Sequence, residues 1–468
     1  MKLNPLVVRP VVAGSLLSLG LVALTQQVQA AEKKPNVILI MTDQQTASAM
    51  SCAGNPNLST PAMDALAADG VLFSRAYCPY PLSGPCRASL LTGQMPFEVG
   101  ATANGVRPAA EKMATHIGYR MAEAGYDCLY AGKWHVPEVD IPENAGFTKV
   151  CNMNDPALVD ACANALQKRG EKPIFLVASF LDPHEICEYA RNETMPYGPL
   201  QTTFTTADCP NLPANFRPST YEAEAIRLAF AAEPRTYPTG NYTQDEWRQY
   251  IYTYYRLIER VDHQIGRLVQ LLKQRGLYDQ SVILFCSDHG DGVAAHGWNQ
   301  KWVLFEEVIN VPLILKAPKG AGVKGIKNQT ALSNIGLDIY TTFCDYAGIS
   351  LDPKRYRGQS LRPIVEGLRT TLHEEVFVET LFSGTQVRGW SIVENRYKYV
   401  LYNYHRDREQ LYDLLTDKGE MLNLAVDVKY ATELARLRKK MYEWGLKIND
   451  SRLIRNLRPL VENKQQNR

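Results

Sequence analysis

The chain has 468 residues, 45% of them hydrophobic, enough to bury a large core and more than one domain. Its 51 Lys and Arg stand against 49 Asp and Glu, a balance that argues against a nucleic-acid or strongly acidic protein partner. The ten cysteines include no Cys-x-x-Cys pair, so their spacing names no disulfide framework, and they read as small buried hydrophobes.

The first residues read as an export signal. Lys2 and Arg9 precede an apolar run from Val11 to Leu24, too short for a comfortable membrane span, and Val28-Gln29-Ala30 is a small-residue cleavage site. The expected organisation is a signal over 1–30, a catalytic sheet domain over 31–355 and a smaller antiparallel-sheet subdomain over 356–468. The exported product would be periplasmic or secreted, with no membrane partner after cleavage.

Asn36 to Met41 (NVILIM) reads as a strand buried on both faces, and Asp43-Gln44 follows at its carboxyl end, where open α/β sheets bind ligands. Thr60-Pro61 opens a short helix that leads into Gly70 to Phe73. Pro81 to Gly93 (PLSGPCRASLLTG) places Ser83 at the start of a helix, with Arg87 one turn in, a setting that favours an oxyanion. On those residues alone Ser83 is equally an N-cap.

A helix over 113–124 and a strand over 126–130 end in Gly132-Lys133-Trp134-His135. The strand 173–180 exits into Asp182-Pro183-His184. Residues 192–241, rich in Pro, Thr, Tyr and Asn, read as a long surface insertion. From Glu246 to Arg275 the apolar residues recur at helical spacing. Ser281 to Cys286 is the next strand, followed by Ser287-Asp288-His289-Gly290 and then by His296 and Lys301. Taken singly, Asp43, Lys133, His135, His184, His296 and Lys301 are as well explained as caps, turns or surface side chains.

Residues 332–347 read as a helix closing the large sheet. Three short antiparallel strands follow over 376–379, 390–393 and 397–402, then Leu411 to Ala425 (LYDLLTDKGEMLNLA), a helix over 430–446, and a basic tail with Arg452, Arg455 and Arg458 that reads as a solvated end.

The run Ser83-x-Pro85-x-Arg87 with Gly93 resembles the signature of type I sulfatases, in which a Ser or Cys is oxidised to formylglycine. The strings GKWH, PH and SDHG and the Leu411–Ala425 stretch are similar to further motifs of that family, so the resemblance covers residues 35 to about 446. It implies the alkaline-phosphatase-like α/β fold: a large, mostly parallel sheet sandwiched by helices, with a small C-terminal α+β part. It implies formylglycine at Ser83, hydrated to a diol that attacks sulfur, with Arg87, Lys133 and Lys301 offsetting charge. His184 would protonate the leaving oxygen and His135 would take a proton from the diol.

The implied cation site comprises Asp43, Gln44, Ser83, Asp288 and His289. Calcium is the expected ion, with Mg²⁺ or Mn²⁺ as alternatives. Gln44 stands where the family has a second aspartate, and His289 where many members have asparagine. A serine precursor resembles those matured by a radical-SAM enzyme, the expected partner in biosynthesis.

The expected activity is hydrolysis of carbohydrate sulfate esters by a monomer or small homo-oligomer. Length and motif placement are similar to bacterial unsaturated-hexuronate 2-O-sulfatases of glycosaminoglycan breakdown. Arg107 would meet the uronate carboxylate, unless it is an ordinary surface arginine, and His296 would line the pocket. Competing readings are a sulfatase for the 6-O or another position, a phosphonate or phosphate ester hydrolase of the same superfamily, and a non-catalytic glycan-binding relative.

Overall fold

The computed structural model describes Met1 and residues 34–143, 145–200, 204–232 and 237–462. The expected export signal over 1–30 lies, apart from Met1, outside the described residues.

Nine short strands build the large sheet and its margin: β1 (Asn36–Thr42), β2 (Val71–Phe73), β3 (Ala76–Tyr77), β4 (Asp127–Gly132), β5 (Thr148–Cys151), β6 (Ile174–Ser179), β7 (Ser281–Ser287), β8 (Leu313–Lys316) and β9 (Ile326–Asn328). Eight of them pair in the order β5-β4-β6-β1-β7-β8-β2-β9. Only β8 runs against its neighbours; the pairs from β5 through β7 and between β2 and β9 are parallel. β3 pairs separately with β10 (Ser333–Asn334).

The continuous apolar runs are explained by burial on both faces. Along β1, Val37, Leu39 and Met41 enter one core while Ile38 and Ile40 enter the other, and β7 repeats the alternation with Val282, Leu284 and Cys286 against Ile283 and Phe285. The first core is closed by the packed helices Ser83–Thr92 and Ile335–Ala347. The second is closed by the long helix Gln244–Gln274, whose Leu257, Ile258, Val261, Ile265 and Leu268 are buried. That helix is started by Thr243 and Glu246 in a reciprocal cap. Its Asp262 accepts the backbone N–H groups of Ala62 (3.0 Å) and Met63 (2.9 Å), capping the helix Pro61–Ala68.

The C-terminal region is an antiparallel meander, β11 (Glu375–Leu381), β12 (Arg388–Glu394), β13 (Tyr397–Tyr402) and β14 (Glu409–Asp413). The helix Ala431–Lys447 covers it, with Trp444 stacked on Phe377 at 4.2 Å between centroids. The tail expected to be a solvated end is instead a helix over Ser451–Glu462. Leu453 and Leu457, one turn apart, are buried in the core of this region, while Arg452, Arg455 and Arg458 point outward. Counting basic residues hid that apolar pair. The expected helix over 113–124 is also shorter, Ile117–Glu123, preceded by a separate turn at Ala110–Met113. The insertion over 192–241 carries a helix of its own at Glu224–Ala232.

Register fixes where the loops emerge. Met41 is level with Ser179 and Thr42 with Ser287, while Gly132 is also level with Ser179. The residues just past β1, β4, β6 and β7 therefore share one edge of the sheet.

Gly132 turns the chain at that edge with φ +94°, and a Cβ there would lie 1.9 Å from the Ser179 carbonyl oxygen. Gly132→Ala is expected to cost about 2–5 kcal/mol, combining left-handed strain with an overpacked backbone contact. Gly125→Ala, also left-handed (φ +91°) with nothing within 4 Å, should show the strain alone, and chemical denaturation of the two variants measures the difference.

Candidate active site

Ser83 is the first residue of its helix, behind Leu82 at the N-cap position, and its side chain caps nothing. Its hydroxyl points across the sheet edge, 3.2 and 3.1 Å from the two carboxylate oxygens of Asp43 and 3.1 Å from His289 Nε2. The hydroxyl is thus aimed at groups past β1 and β7, which the N-cap reading does not predict.

Arg87 ties those strand ends together. Its Nη2 lies 3.0 Å from Asp43 Oδ2 and its Nε 2.9 Å from Asp288 Oδ2. Its Nη1 donates to the Lys133 carbonyl (2.9 Å) and to Ser179 Oγ (2.7 Å). Lys133 Nζ approaches Asp43 Oδ2 at 2.6 Å. The Oδ2 atoms of both aspartates thus face cations. Their Oδ1 atoms face His289 Nε2, each at 3.8 Å.

This donor set fits a divalent cation. Asp43, Asp288 and His289 each offer one atom within 4.8 Å of the others, all buried. Two carboxylate oxygens and an imidazole suit Ca²⁺, Mg²⁺ or Mn²⁺, the nitrogen favouring the softer ion. Gln44 is committed elsewhere: its Oε1 accepts from Lys301 Nζ (2.7 Å) and its Nε2 donates to Asp291 Oδ2 (2.7 Å). It links Lys301 to the cluster, while its backbone N–H donates to Asp288 Oδ1 at 3.2 Å. Asp291 was missed by the sequence reading, although it follows Gly290 directly in the same loop; Tyr250 and the Val293 N–H complete its shell.

Burial and neighbouring charge set the protonation states. Burial alone would raise Asp43, but Lys133, His184, Arg87 and His289 hold it well below the usual carboxylate range. Burial lowers Lys133, opposed by Asp43. His135 falls to about 3, through burial and then the charges of Lys133 and Arg87. His184 is lowered well below its usual value by burial and then Lys301 and Lys133, and His289 is lowered chiefly by burial. All three imidazoles are neutral at neutral pH. His184 Nε2 lies 3.1 Å from Lys301 Nζ, so the neutral ring can accept a hydrogen bond from the ammonium.

Residues 35–349, two thirds of the chain, match the family model described as Sulfatase. The chain belongs to the sulfatase family. It is a sulfuric ester hydrolase. Residues 294–447 of this sulfatase also match the model described as N-sulphoglucosamine sulphohydrolase, C-terminal. The sulfatase is 28% identical over 455 residues to a Delta 4,5-hexuronate-2-O-sulfatase of Bacteroides thetaiotaomicron, covering 90% of each chain. A solved 2-O GAG sulfatase superposes with a TM-score of 0.78 at 26% identity, covering 92% of this chain and 96% of the other. A solved phosphonate monoester hydrolase of Agrobacterium radiobacter gives 0.74 at 25% identity, with 89% and 96% covered.

Two expected site residues stand apart from this cluster. Arg107 is exposed and paired with Glu138. The expectation that His296 lines the sulfate pocket is not what the structure shows: its ring is buried against Phe305, near Glu307 and Glu420, and no hydrogen bond links it to the Ser83 group. His296 follows the His289 loop closely in sequence, but a left-handed turn at Ala294 and His296 (φ +68° and +55°) carries it away. Asn104, an exposed loop residue without a sequence signal, accepts the Gly84 N–H at 2.9 Å.

A second set of residues holds the His184 loop. Asp155 accepts the N–H groups of Leu181 (2.8 Å) and Asp182 (2.9 Å). Arg260, on the long helix, grips Asp182 through Nε (2.6 Å) and Nη2 (3.0 Å), and Glu185 through Nη2 (2.5 Å). Both residues flanking Pro183-His184 thus hang on one guanidinium. Arg260→Lys keeps the charge but loses the planar fork. It is expected to lower kcat for sugar sulfates by about 10–100-fold while changing KM little, the cost of a shifted His184 loop. Steady-state kinetics with a defined sulfated disaccharide checks this.

Proposed function

We propose that this sulfatase removes the sulfate ester from glycosaminoglycan-derived saccharides, with 2-O-sulfated unsaturated hexuronate as the favoured substrate. The observation that carries the chemistry is Ser83 Oγ at 3.1–3.2 Å from both Asp43 and His289, ringed by Lys133, Lys301 and His184. The support for the saccharide is the similarity along nearly the whole chain to a hexuronate-2-O-sulfatase.

Formylglycine made from Ser83 would supply a hydrated carbonyl whose second hydroxyl lets the enzyme release sulfate without water attacking sulfur. A divalent cation, Ca²⁺ by preference, held by Asp43, Asp288 and His289 would supply positive charge and acidify a hydroxyl group. Ser83 is buried at 1% exposure within bonding reach of those donors, so the side chains present fit both groups.

The protein's own residues do the rest. Lys133 and Lys301, both almost fully buried, add positive charge where water cannot screen it, so they stabilise charge building on the sulfate oxygens. Arg87 has its Nε, Nη1 and Nη2 committed to Asp43, Asp288, Lys133 and Ser179, so its part is to fix the aspartates. Lys301 carries the proton that the leaving alcohol needs, with His184 beside it as acceptor and relay. His135, neutral, half-buried and without a protein partner at Nδ1, is able to accept a proton. Arg107 is proposed as the carboxylate contact. It lies three residues beyond Asn104, which touches Gly84, and its partner Glu138 lies three beyond His135.

The radical-SAM maturation and export to the periplasm or medium are part of the same proposal, supported by serine at position 83 and by the signal-like first thirty residues.

Active protein should carry a Ser83 peptide two hydrogens lighter than serine requires, and unmodified protein should be nearly inactive. Peptide mass and sulfate release measured on the same preparation decide it; full activity with intact serine refutes the mechanism. His184→Ala should slow release from a sugar by about 100-fold or more, a typical acid–base contribution. It should slow an aryl sulfate with an acidic leaving group far less; equal losses would remove His184 from proton delivery. The solved phosphonate monoester hydrolase favours a second reading. A panel of 2-O- and 6-O-sulfated disaccharides, an aryl sulfate, a phosphate diester and a phosphonate monoester separates the two.

A further inference from the structure

The loop that leaves β7 passes the sulfate site and reaches a second group of ligand-type side chains. His296, Glu307 and Glu420 bring one donor atom each within 4.8 Å of one another. His296 is 1% exposed and Glu420 fully buried. Neither ring nitrogen of His296 has a hydrogen-bond partner, and neither has Glu307 Oε2. A buried imidazole with both nitrogens unpaired costs free energy unless something binds it.

Each donor is held in place by other contacts. The His296 ring stacks on Phe305 at 3.7 Å between centroids and 10° between planes. Its backbone N–H donates to the Asn215 carbonyl at 2.6 Å. Asn215 Nδ2 also donates to Glu307 Oε1 at 2.8 Å, leaving Oε2 turned away from it. Glu420 Oε2 accepts the Glu306 N–H at 2.7 Å. Lys398 Nζ sits 2.5 Å from Glu420 Oε1 and 3.1 Å from Glu306 Oε1. Two carboxylates, Glu306 and Glu420, therefore share a single ammonium, and Glu307 stands beside Glu420 and His296. A cavity of about 560 Å³ is lined in part by Glu306 and Glu307.

We propose that His296, Glu307 and Glu420 form a second divalent-cation site, separate from the one at Asp43 and Asp288. One imidazole and two carboxylates match Zn²⁺ or Mn²⁺ better than Ca²⁺. The ion would pin the loops after β7, which supply His296 and Glu307, to Glu420 on the segment after β14. Its role is structural, since none of the three side chains is joined to the Ser83 group. Burial and Lys398 push the His296 imidazole down to about 3, so the ring is neutral and able to ligate. Burial pushes Glu420 up to about 8, and Glu307 up as well.

The test is metal content of the full mature protein. It is stripped with chelator, equilibrated with Zn²⁺ or Mn²⁺, desalted and measured by mass spectrometry of the metal. The wild type should retain two equivalents, and His296→Gln and Glu307→Gln one each. Added Zn²⁺ or Mn²⁺ should raise the thermal midpoint of the stripped wild type more than that of either variant. Glu307→Gln keeps an oxygen for Asn215 and decides the matter if His296→Gln does not fold. A wild type holding only one equivalent, or a Glu307→Gln variant still holding two, overturns the proposal.

Discussion

Asp43 and Asp288 are fully buried at the ends of two adjacent parallel strands, each with one oxygen turned toward the same imidazole. Two carboxylates so placed repel each other and lose their hydration, and no such pair persists without compensating charge. Arg87 supplies it to both at once, and Lys133 adds a second cation on Asp43. The helix start that places Ser83 also places Arg87, because one turn separates them. The position of Ser83 and the charge balance are therefore one structural fact. Removing Arg87 would leave buried carboxylates facing each other, so its importance is architectural before it is catalytic.

The same logic shapes the periphery of the site. Three buried carboxylates surround His184, Asp182 and Glu185 in its loop and Asp155 at the start of the helix Asp155–Gln167, and one arginine reaches in from the long helix. Burial raises the proton affinity of Asp182 to about 8 and Asp155 to about 6. A helix packed on one face of the sheet thus sets the position of the His184 loop at its edge. The apolar stripe of that helix and its Arg260 serve different ends, packing in one case and orientation in the other.

Protonation at the site follows from dryness as well as from pairing. Three histidines are kept neutral because burial and nearby cations both disfavour a charged ring. The neutral His184 ring is set beside Lys301, a pairing that residue types alone do not reveal. The lysine is held by Gln44, at the position where the family usually has a second acidic ligand. An amide oxygen there binds an ammonium group without adding another buried negative charge.

Much was legible in the chain before it was folded. Runs such as NVILIM and SVILFC can only be strands buried on both faces, and a loop that follows such a strand emerges at a known edge. Ser83, Arg87, Lys133, His184, Asp288 and Lys301 were named from the family resemblance that strings such as SGPCR, GKWH and SDHG carry, since taken singly most of them read equally as caps, turns or surface side chains. What lay beyond the chain's own order was decided by packing. Only the fold could show that Arg260 braces the His184 loop from a distant helix, that Arg87 has no free hand for substrate, and that two leucines turn a basic tail into a docked helix. Only the fold could take His296 out of the sulfate pocket and set it beside Glu420. Neighbours in sequence are fixed by covalent bonds, whereas neighbours across the core are fixed by which surfaces exclude water together.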